Sequence, residues 1–114
     1  MTISFDEFIE SDEFSEDDRN DIGFCAYYYA LDILKGRYEE GEQVIAKEAI
    51  YSYWYAKDVL KGRFELGEPV IASCSYYSYH YAKDVLKGRF ALGEEMILKD
   101  IYYKRKYEEF LKGL

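Results

Sequence analysis

Residues 55–68 read Tyr-Ala-Lys-Asp-Val-Leu-Lys-Gly-Arg-Phe-Glu-Leu-Gly-Glu, and residues 81–94 repeat this string with Ala91 as the one difference. The tetrapeptide Leu-Lys-Gly-Arg occurs a third time at residues 34–37, so a constant step of 26 residues relates the three copies. A fixed period of this length is typical of solenoids, in which one small structural unit is stacked several times. Such proteins usually act through an extended surface.

The period divides the chain into four units behind a leader that does not repeat. The predicted boundaries place the leader at 1–19 and the units at 20–45, 46–71, 72–97 and 98–114. The fourth unit stops short of a full period. We expect the leader and the fourth unit to differ from the inner units, because the two ends of a stack have a neighbour on one side only.

Each inner unit shows the pattern of two helices. Gly62 is predicted to end a long helix in the left-handed conformation, and Pro69 suits the first turn of a short second helix. We therefore predict an all-α solenoid of helix pairs, with a long helix of about 13 residues and a short one of about 6 to 8 in each unit. The apolar stripe of the long helix, at spacings of three and four, consists in the second unit of Ala49, Tyr53, Ala56, Leu60 and Phe64.

The leader allows two interpretations. Ser4 and Glu7 fit a capping box, which predicts a helix that covers the first unit. The amphipathic patch of that helix would consist of Ile3, Phe5, Phe8 and Ile9. Alternatively, the leader is an acidic disordered tail, dotted with aromatic residues, that docks on a partner. Residues 11–18 are too highly charged to pack and are expected to form a loop.

The last unit carries charge at columns that are less polar in the inner units. Polar substitution of this kind blunts an exposed apolar face at the end of a solenoid. The substituted positions are Lys104, Arg105, Lys106 and Glu108.

Composition excludes several classes of protein. A chain of 114 residues with 49% hydrophobic residues is long enough for one compact core. It has no apolar run of about 18 residues and no signal-peptide pattern, so we expect no membrane contact. Cys25 and Cys74 fall in different columns of the repeat, which favours free thiols in a reducing cytoplasm.

The net charge of −8 belongs to the leader and not to the units. Within residues 1–21 nine carboxylates are opposed only by Arg19, whereas the rest of the chain is neutral. This distribution limits any mimicry of nucleic acid to the leader.

No catalytic or cofactor-binding motif is present. His80 is the only histidine and has no cysteine or second histidine near it in sequence, which argues against a zinc site. The patterns GxSxG, HExxH and CxxC are missing, and the glycine of Lys-Gly-Arg does not fit a phosphate-binding loop. We therefore expect no enzymatic activity, no metal and no cofactor.

Charged columns recur in every inner unit. Their simplest interpretation is structural, with arginine bracing a carboxylate of the adjacent unit; the alternative is a row that binds a polar ligand. The columns are Arg37, Arg63 and Arg89; Glu42, Glu68 and Glu94; and Asp32, Asp58 and Asp84. A further ladder, Lys35, Lys61 and Lys87, resembles the basic row of helical-repeat RNA readers. Nearby carboxylates and the anionic chain make nucleic-acid binding the less favoured interpretation.

Aromatic columns fall into two kinds. Tyr29, Tyr55, Tyr81 and Tyr107 are constant, which indicates a core or inter-unit contact whose hydroxyl reaches a polar group. A second column differs in every unit and reads Tyr28, Trp54, His80 and Lys106. A position that the fold does not dictate is usually exposed, and tyrosine and tryptophan are favoured at interface hot spots. This row is therefore either a contact surface or a solvated face with incidental rings.

The strings at 55–68 and 81–94 resemble a 26-residue tandem repeat found in many proteins of tailed phages and large DNA viruses. Its pattern reads Tyr-Ala-x-x-Val-Leu-Lys-Gly-Arg-Phe, then Gly-Glu, then Ile-Ala before a tyrosine-rich stretch. The resemblance covers residues 26–97 well and 98–114 partly, and the leader falls outside it. It implies a viral protein in the cytoplasm of a host cell and, by association, a counter-defence inhibitor such as an anti-CRISPR protein.

Three functions follow as hypotheses. The first is a protein-binding module that inhibits a host protein or protein complex. The second is a nucleic-acid-related role, through DNA mimicry by the leader or single-strand binding along the lysine ladder. The third is self-association as a homodimer. The candidate partner-binding residues are Tyr28, Trp54, His80, Tyr51, Tyr77, Lys61, Lys87, Asp12, Glu13, Glu16, Asp17 and Asp18.

Overall fold

The computed structural model describes residues 2–11 and 14–114, and all regular elements within these ranges are helical. The helices stack into an elongated body of 47 × 25 × 20 Å, a small all-α solenoid of repeated helix pairs as predicted. The α-helices are α1 (Phe5–Ile9), α2 (Glu16–Asn20), α3 (Ile22–Tyr28), α4 (Glu42–Ile45), α5 (Ala49–Trp54), α6 (Glu68–Ala72), α7 (Ser75–His80), α8 (Glu94–Lys99) and α9 (Ile101–Lys112).

Each long helix of the first three units changes type halfway along. Helices α3, α5 and α7 continue without a break into the π-helical segments Tyr29–Leu34, Tyr55–Leu60 and Tyr81–Leu86. A π-helix closes its hydrogen bonds over five residues and is rare, so its recurrence in three units makes it part of the repeat. Short helices α4, α6 and α8 follow the 3-10 turns Glu39–Gly41, Glu65–Gly67 and Ala91–Gly93. Pro69 lies in the first turn of α6, as predicted.

The left-handed residue that ends each long helix is a lysine. Lys35, Lys61 and Lys87 have φ angles of 53°, 53° and 55°, whereas no described glycine has a positive φ. The prediction that Gly62 adopts this conformation is therefore wrong. The reversal falls one residue earlier because the π-turn brings the N–H groups of Lys61 and Gly62 to the same acceptor, the carbonyl oxygen of Ala56.

Buried hydrogen bonds join successive units. The Tyr81 hydroxyl donates to Glu68 of the preceding unit at 2.6 Å and accepts from the N–H of Phe64 at 3.0 Å. Tyr55 and Tyr107 repeat these contacts one unit earlier and one unit later. The prediction that the constant tyrosine column reaches a polar group between units is confirmed.

The arginine column braces its own unit. Arg63 donates to both carboxylate oxygens of Glu68, at 2.8 and 3.0 Å, and the equivalent pairs are Arg37–Glu42 and Arg89–Glu94. The prediction of arginine braces between adjacent units is therefore wrong. The two residues are only five positions apart, on either side of the turn between the helices. The contact between units is instead made by a tyrosine and an aspartate: the Tyr27 hydroxyl of the first unit donates to Asp58 of the second at 2.8 Å.

Helix α1 of the leader packs over the first unit. Its capping box is formed, with Ser4 accepting from the N–H of Glu7 and Glu7 accepting from the N–H of Ser4. Phe8 is buried, and its ring centroid lies 5.4 Å from that of Tyr29, whose hydroxyl donates to the carbonyl oxygen of Ile3. The amphipathic patch thus covers the end of the stack.

The predicted loop over residues 11–18 is only partly present. Its second half is helical, because Ser15 caps α2 by accepting a hydrogen bond from the N–H of Asp18. Asp12 and Glu13 lie outside the described residues. At the other end of the chain, Lys104, Arg105 and Glu108 of α9 are exposed. Among the described helices, none has both the length and the apolarity that a membrane span requires.

Candidate protein-contact surface

Two rows of side chains run across the outer side of the long helices. Each unit contributes one residue to each row, and these two residues are four positions apart in sequence, so they form a pair on the same helix face. Ring centroids within a pair are 5.2 Å apart for Phe24 and Tyr28 and 4.5 Å apart for Tyr76 and His80. We call this surface the aromatic face; it consists of Phe24, Ile50, Tyr76 and Tyr102 in one row and Tyr28, Trp54, His80 and Lys106 in the other.

The row of Tyr28, Trp54, His80 and Lys106 differs in every unit, and the row of Phe24, Ile50, Tyr76 and Tyr102 differs among the first three units. The tyrosine column of Tyr55 and Tyr81 is constant. The constant tyrosines are held by buried bonds such as that between Tyr81 and Glu68. Ser52 and Ser78 are completely buried and donate to carbonyl oxygens of the preceding unit. Stacking therefore accounts for the constant columns, and it leaves the residue types of the aromatic face unexplained.

Three rings of the aromatic face are exposed. Tyr28 is 36% exposed, Tyr76 is 44% exposed and Tyr102 is 59% exposed. Trp54 is only half-buried and not fully open as predicted, because its ring lies 5.6 Å from that of Tyr27 in the preceding unit. The face thus combines exposed ring edges with rings fixed in place by their neighbours.

His80 lies within a cluster of tyrosine rings. Its ring is 4.5 Å from Tyr76 and 5.0 Å from Tyr79, and its Nδ1 is 3.8 Å from a carboxylate oxygen of Asp84. Burial lowers the pKa of His80 and outweighs the opposing effect of Asp84, so the imidazole is neutral at neutral pH. The described residues contain no group of three histidine, cysteine, aspartate or glutamate side chains placed to hold a metal ion.

Tyr51 and Tyr77 lie at the boundaries between units, beneath the exposed rings. Tyr51 donates to a carboxylate oxygen of Asp21 at 2.5 Å, and its ring packs closely over Gly23, where an added Cβ would lie 3.1 Å from a ring carbon. The ring of Tyr77 lies 5.8 Å from that of Tyr53 in the preceding unit. Both tyrosines are half-buried, so they support the aromatic face and contribute only part of their surface to it.

The predicted basic residues occupy the opposite end of the long helices. Lys61 and Lys87 are exposed at the left-handed position that ends each helix. Lys35 and Lys61 line a groove of about 420 Å³ between the first two units, together with Asp58. The structure therefore does not bring the lysine ladder together with Trp54.

The acidic leader borders the aromatic face at the first unit. The Phe14 ring lies 6.4 Å from both Phe24 and Tyr28 and joins the leader to the face. Helix α2 follows directly and exposes Glu16, Asp17 and Asp18. The remaining two acidic candidates, Asp12 and Glu13, fall outside the part of the chain that the structure describes.

Neither cysteine forms a disulfide. Cys25 is fully buried and its thiol donates to the carbonyl oxygen of Asp18 at 3.0 Å. Burial, followed by the negative charges of Asp21 and Asp18, raises the pKa of the Cys25 thiol, so it is a poor nucleophile. Cys74 is a second free cysteine and is half-buried.

Sequence reasoning found one row of the aromatic face and missed the other. The row of Phe24, Ile50, Tyr76 and Tyr102 was not among the predicted contact residues. Its signal was present in the sequence, since each member stands four residues before a member of the column of Tyr28 and Trp54, and the first three members differ from one another.

No family model, no curated protein and no solved structure matches the chain.

Proposed function

We propose that the protein is a non-catalytic binding module whose aromatic face docks on another protein. The observation that carries the proposal is the contrast between columns. The constant tyrosine column is occupied by inter-unit contacts, whereas the two rows of the aromatic face vary among the units, are mostly aromatic and are partly exposed. Tyrosine and tryptophan are enriched among the residues that dominate protein interfaces. A surface kept varied and aromatic on a repeated scaffold therefore fits protein recognition best.

The rings of the aromatic face are held in place before any partner binds. Trp54 contacts Tyr27 and Tyr51, and His80 contacts Tyr76 and Tyr79. Ordering a flexible side chain at an interface costs about 0.5–1.5 kcal/mol, and rings that are already fixed avoid most of this cost. The acidic helix α2 beside the face favours a partner with a basic rim.

The resemblance of the repeats to those of phage and large-virus proteins suggests the setting. We place the protein in the cytoplasm of an infected host cell and its partner among host protein complexes. Inhibition would arise because the aromatic face covers a surface that the host complex needs, as a counter-defence inhibitor such as an anti-CRISPR protein does. No step of this mechanism requires a bond to be made or broken.

A direct test compares two matched pairs of substitutions. The full chain captures its partner from a host extract, and affinity is then measured with the purified partner. Tyr28→Ala with Tyr76→Ala removes two exposed rings, and we expect affinity to fall about 30-fold or more, as loss of a hot spot of about 2 kcal/mol requires. Leu66→Ala with Leu92→Ala removes side chains that are 52% and 57% exposed on the turns before the short helices, and should leave affinity unchanged.

Two results would contradict the proposal. Unchanged affinity of the Tyr28 and Tyr76 variant, with intact helical circular dichroism, would show that the aromatic face does not bind. Equal losses in both pairs would indicate a nonspecific apolar contact. Trp54→Ala with His80→Ala is a second variant, although these half-buried rings also contribute to packing.

One observation favours a nucleic-acid role as the second candidate. Lys35, Lys61 and Lys87 recur in the same left-handed conformation, and none forms an ion pair with a described carboxylate. Such a row could follow a phosphate backbone, with affinity falling steeply as salt rises. Lys61→Gln with Lys87→Gln should weaken single-strand binding if this role is correct, and no binding at low salt would exclude it.

Mimicry of DNA by the leader makes a different prediction. Inhibition of a DNA-binding partner should then depend on the exposed carboxylates of α2 and weaken with salt. Glu16→Gln with Asp17→Asn tests this without removing the leader, whose helix α1 covers the first unit.

A further inference from the structure

A charged strip on the outer side of α9 makes no ion pair within the described chain. The strip encloses a shallow depression of about 370 Å³. All of its residues are exposed, and Ile101, at 89%, is the most exposed large hydrophobic residue described. The side chains that line the depression are Ile101, Lys104, Arg105, Glu108, Glu109 and Lys112.

Two residues of the strip occupy columns that are buried in the inner units. Arg105 stands in the column of Tyr53 and Tyr79, which contact rings of the next unit at 5.8 and 5.7 Å. Glu108 stands in the column of Ala56, which is completely buried in the core. The strip therefore lacks the chemistry that accepts another unit of the same kind, and a complementary surface must be charged.

The order of charges along the strip is self-complementary. Lys104 and Arg105 come first, and Glu108 and Glu109 follow one turn later. When two copies of α9 lie antiparallel about a two-fold axis between residues 106 and 107, Lys104 of each copy faces Glu109 of the other, and Arg105 faces Glu108. A parallel arrangement would bring like charges together. Interfaces related by a two-fold axis require this kind of self-complementary pattern.

We propose that α9 pairs with α9 of a second copy of this chain to form an antiparallel homodimer. The same two-fold operation places Ile101 against the methylene stem of Lys112, so the most exposed apolar side chain is covered at both ends of the interface. Tyr102 lines an adjoining depression of about 500 Å³ that widens the apolar margin.

The proposed interface is small, because α9 has 12 residues and is about 18 Å long. Interfaces of this size belong to the weak and transient class. Four exposed ion pairs would also make the dimer sensitive to salt, since screening shortens the range of their attraction. We therefore expect a monomer–dimer equilibrium that shifts towards monomer as salt is raised.

The test uses two charge-reversal variants of the full chain in sedimentation equilibrium, over about 10 µM to 1 mM to suit a weak interface. Lys104→Glu with Arg105→Glu makes the strip wholly acidic, and Glu108→Lys with Glu109→Lys makes it wholly basic. Each variant alone should be monomeric because like charges face each other. An equimolar mixture should form a heterodimer, since every facing pair is then of opposite sign.

A control reverses charge elsewhere on the long helices. Lys57→Glu with Lys83→Glu changes two exposed lysines of the inner units and should leave dimerisation unchanged. The strip residues are exposed, so the reversed variants should keep their helical circular dichroism. If either unfolds, Glu108→Gln with Glu109→Gln is expected to weaken the wild-type dimer without introducing repulsion.

Three outcomes would overturn the proposal. The first is a wild-type chain that stays monomeric at low salt over the whole concentration range. The second is a dimer that survives both charge reversals, which would place self-association on another surface. The third is a pair of monomeric variants that fail to combine when mixed, which would exclude antiparallel pairing of the strips.

Discussion

The constant tyrosine column should be among the most sensitive positions to loss of a single oxygen atom. Tyr81 is completely buried, and its hydroxyl bonds both to the carboxylate of Glu68 and to the N–H of Phe64. Tyr81→Phe keeps the ring, which lies 4.9 Å from that of Phe90, and removes only the hydroxyl. The change therefore isolates the inter-unit hydrogen bonds from the packing.

The expected loss follows from the two bonds. A hydrogen bond to a charged group contributes about 1.5–3 kcal/mol, and leaving a buried N–H without a partner costs about 1–3 kcal/mol. Because Arg63 still binds Glu68, the carboxylate keeps one partner and the lower halves of these ranges apply. We expect the free energy of unfolding to fall by about 3 kcal/mol, a large part of the 5–15 kcal/mol typical of small proteins.

Urea denaturation followed by circular dichroism gives the free energy of unfolding, and the slope m shows whether the units still unfold together. Tyr102→Phe is the control, because Tyr102 is 59% exposed and the change should stay within about 0.5 kcal/mol. A double-mutant cycle with Glu68→Gln should give a coupling of at least about 0.5 kcal/mol. A loss below about 1 kcal/mol for Tyr81→Phe, or strict additivity in the cycle, would refute the reasoning.

Three further predictions concern turns and acid stability. Gly67→Ala should lower the free energy of unfolding by about 1–3 kcal/mol, because the added Cβ would lie 2.6 Å from a buried serine hydroxyl. Gly62→Ala is the matched control and should leave the free energy of unfolding unchanged, because its added Cβ has its nearest contact at 3.9 Å. Lys61→Gly should raise the free energy of unfolding, measured by urea denaturation, by about 1 kcal/mol, because glycine adopts the left-handed conformation without strain. Burial acts to raise the pKa of Glu68, but the hydrogen bonds from its arginine and tyrosine partners together outweigh burial, so the pKa is lowered. The pKa of Glu94 is also lowered, most strongly by the hydrogen bond from its arginine and next by that from its tyrosine. Stability from these carboxylates is complete above their ordinary pKa of 4.5 and is lost as pH falls through the lowered values, so acid titration should show a loss that Glu68→Gln reduces.

The period, together with the helical spacing of apolar residues within a unit, could predict the helix pairs and the role of the constant tyrosines. A column repeated at every unit must satisfy the same contact at every boundary, and a buried hydroxyl must find a partner, so Tyr55 and Tyr81 were identifiable without coordinates. The stretch Tyr-Ala-Lys-Asp-Val-Leu carried no comparable signal for a π-helix. Propensity does not separate α from π geometry, and the left-handed lysine depends on that geometry.

The wrong prediction for the arginine column and the missed row of the aromatic face both arise from comparing equivalent columns. The period relates residues 26 apart, so it favours explanations in which equivalent columns meet across a boundary. Arg63 and Glu68 instead meet within one unit, across a turn whose shape the period does not encode. The second row of the aromatic face was missed for the opposite reason. Its members are linked to the first row by helical spacing within a unit, and column comparison alone does not show that relation.

The boundary before the last unit lacks one of the side-chain hydrogen bonds described for the earlier boundaries. Phe110 replaces the aspartate that accepts from tyrosine at earlier boundaries, so Tyr79 has no carboxylate there and lies 5.7 Å from the ring of Tyr103. Helix α9 is held at its start by the bond from Ser75 to Asp100 and in its middle by Tyr107.

Beyond these anchors, the last turns of α9 rest on partly buried apolar side chains alone. Those turns carry Glu108, Glu109 and Lys112 of the charged strip. Segments with few buried contacts open most easily, and a partner that binds only the folded form stabilises it by mass action. The part of the solenoid that stacking supports least is therefore the part that pairing of two α9 helices would order most.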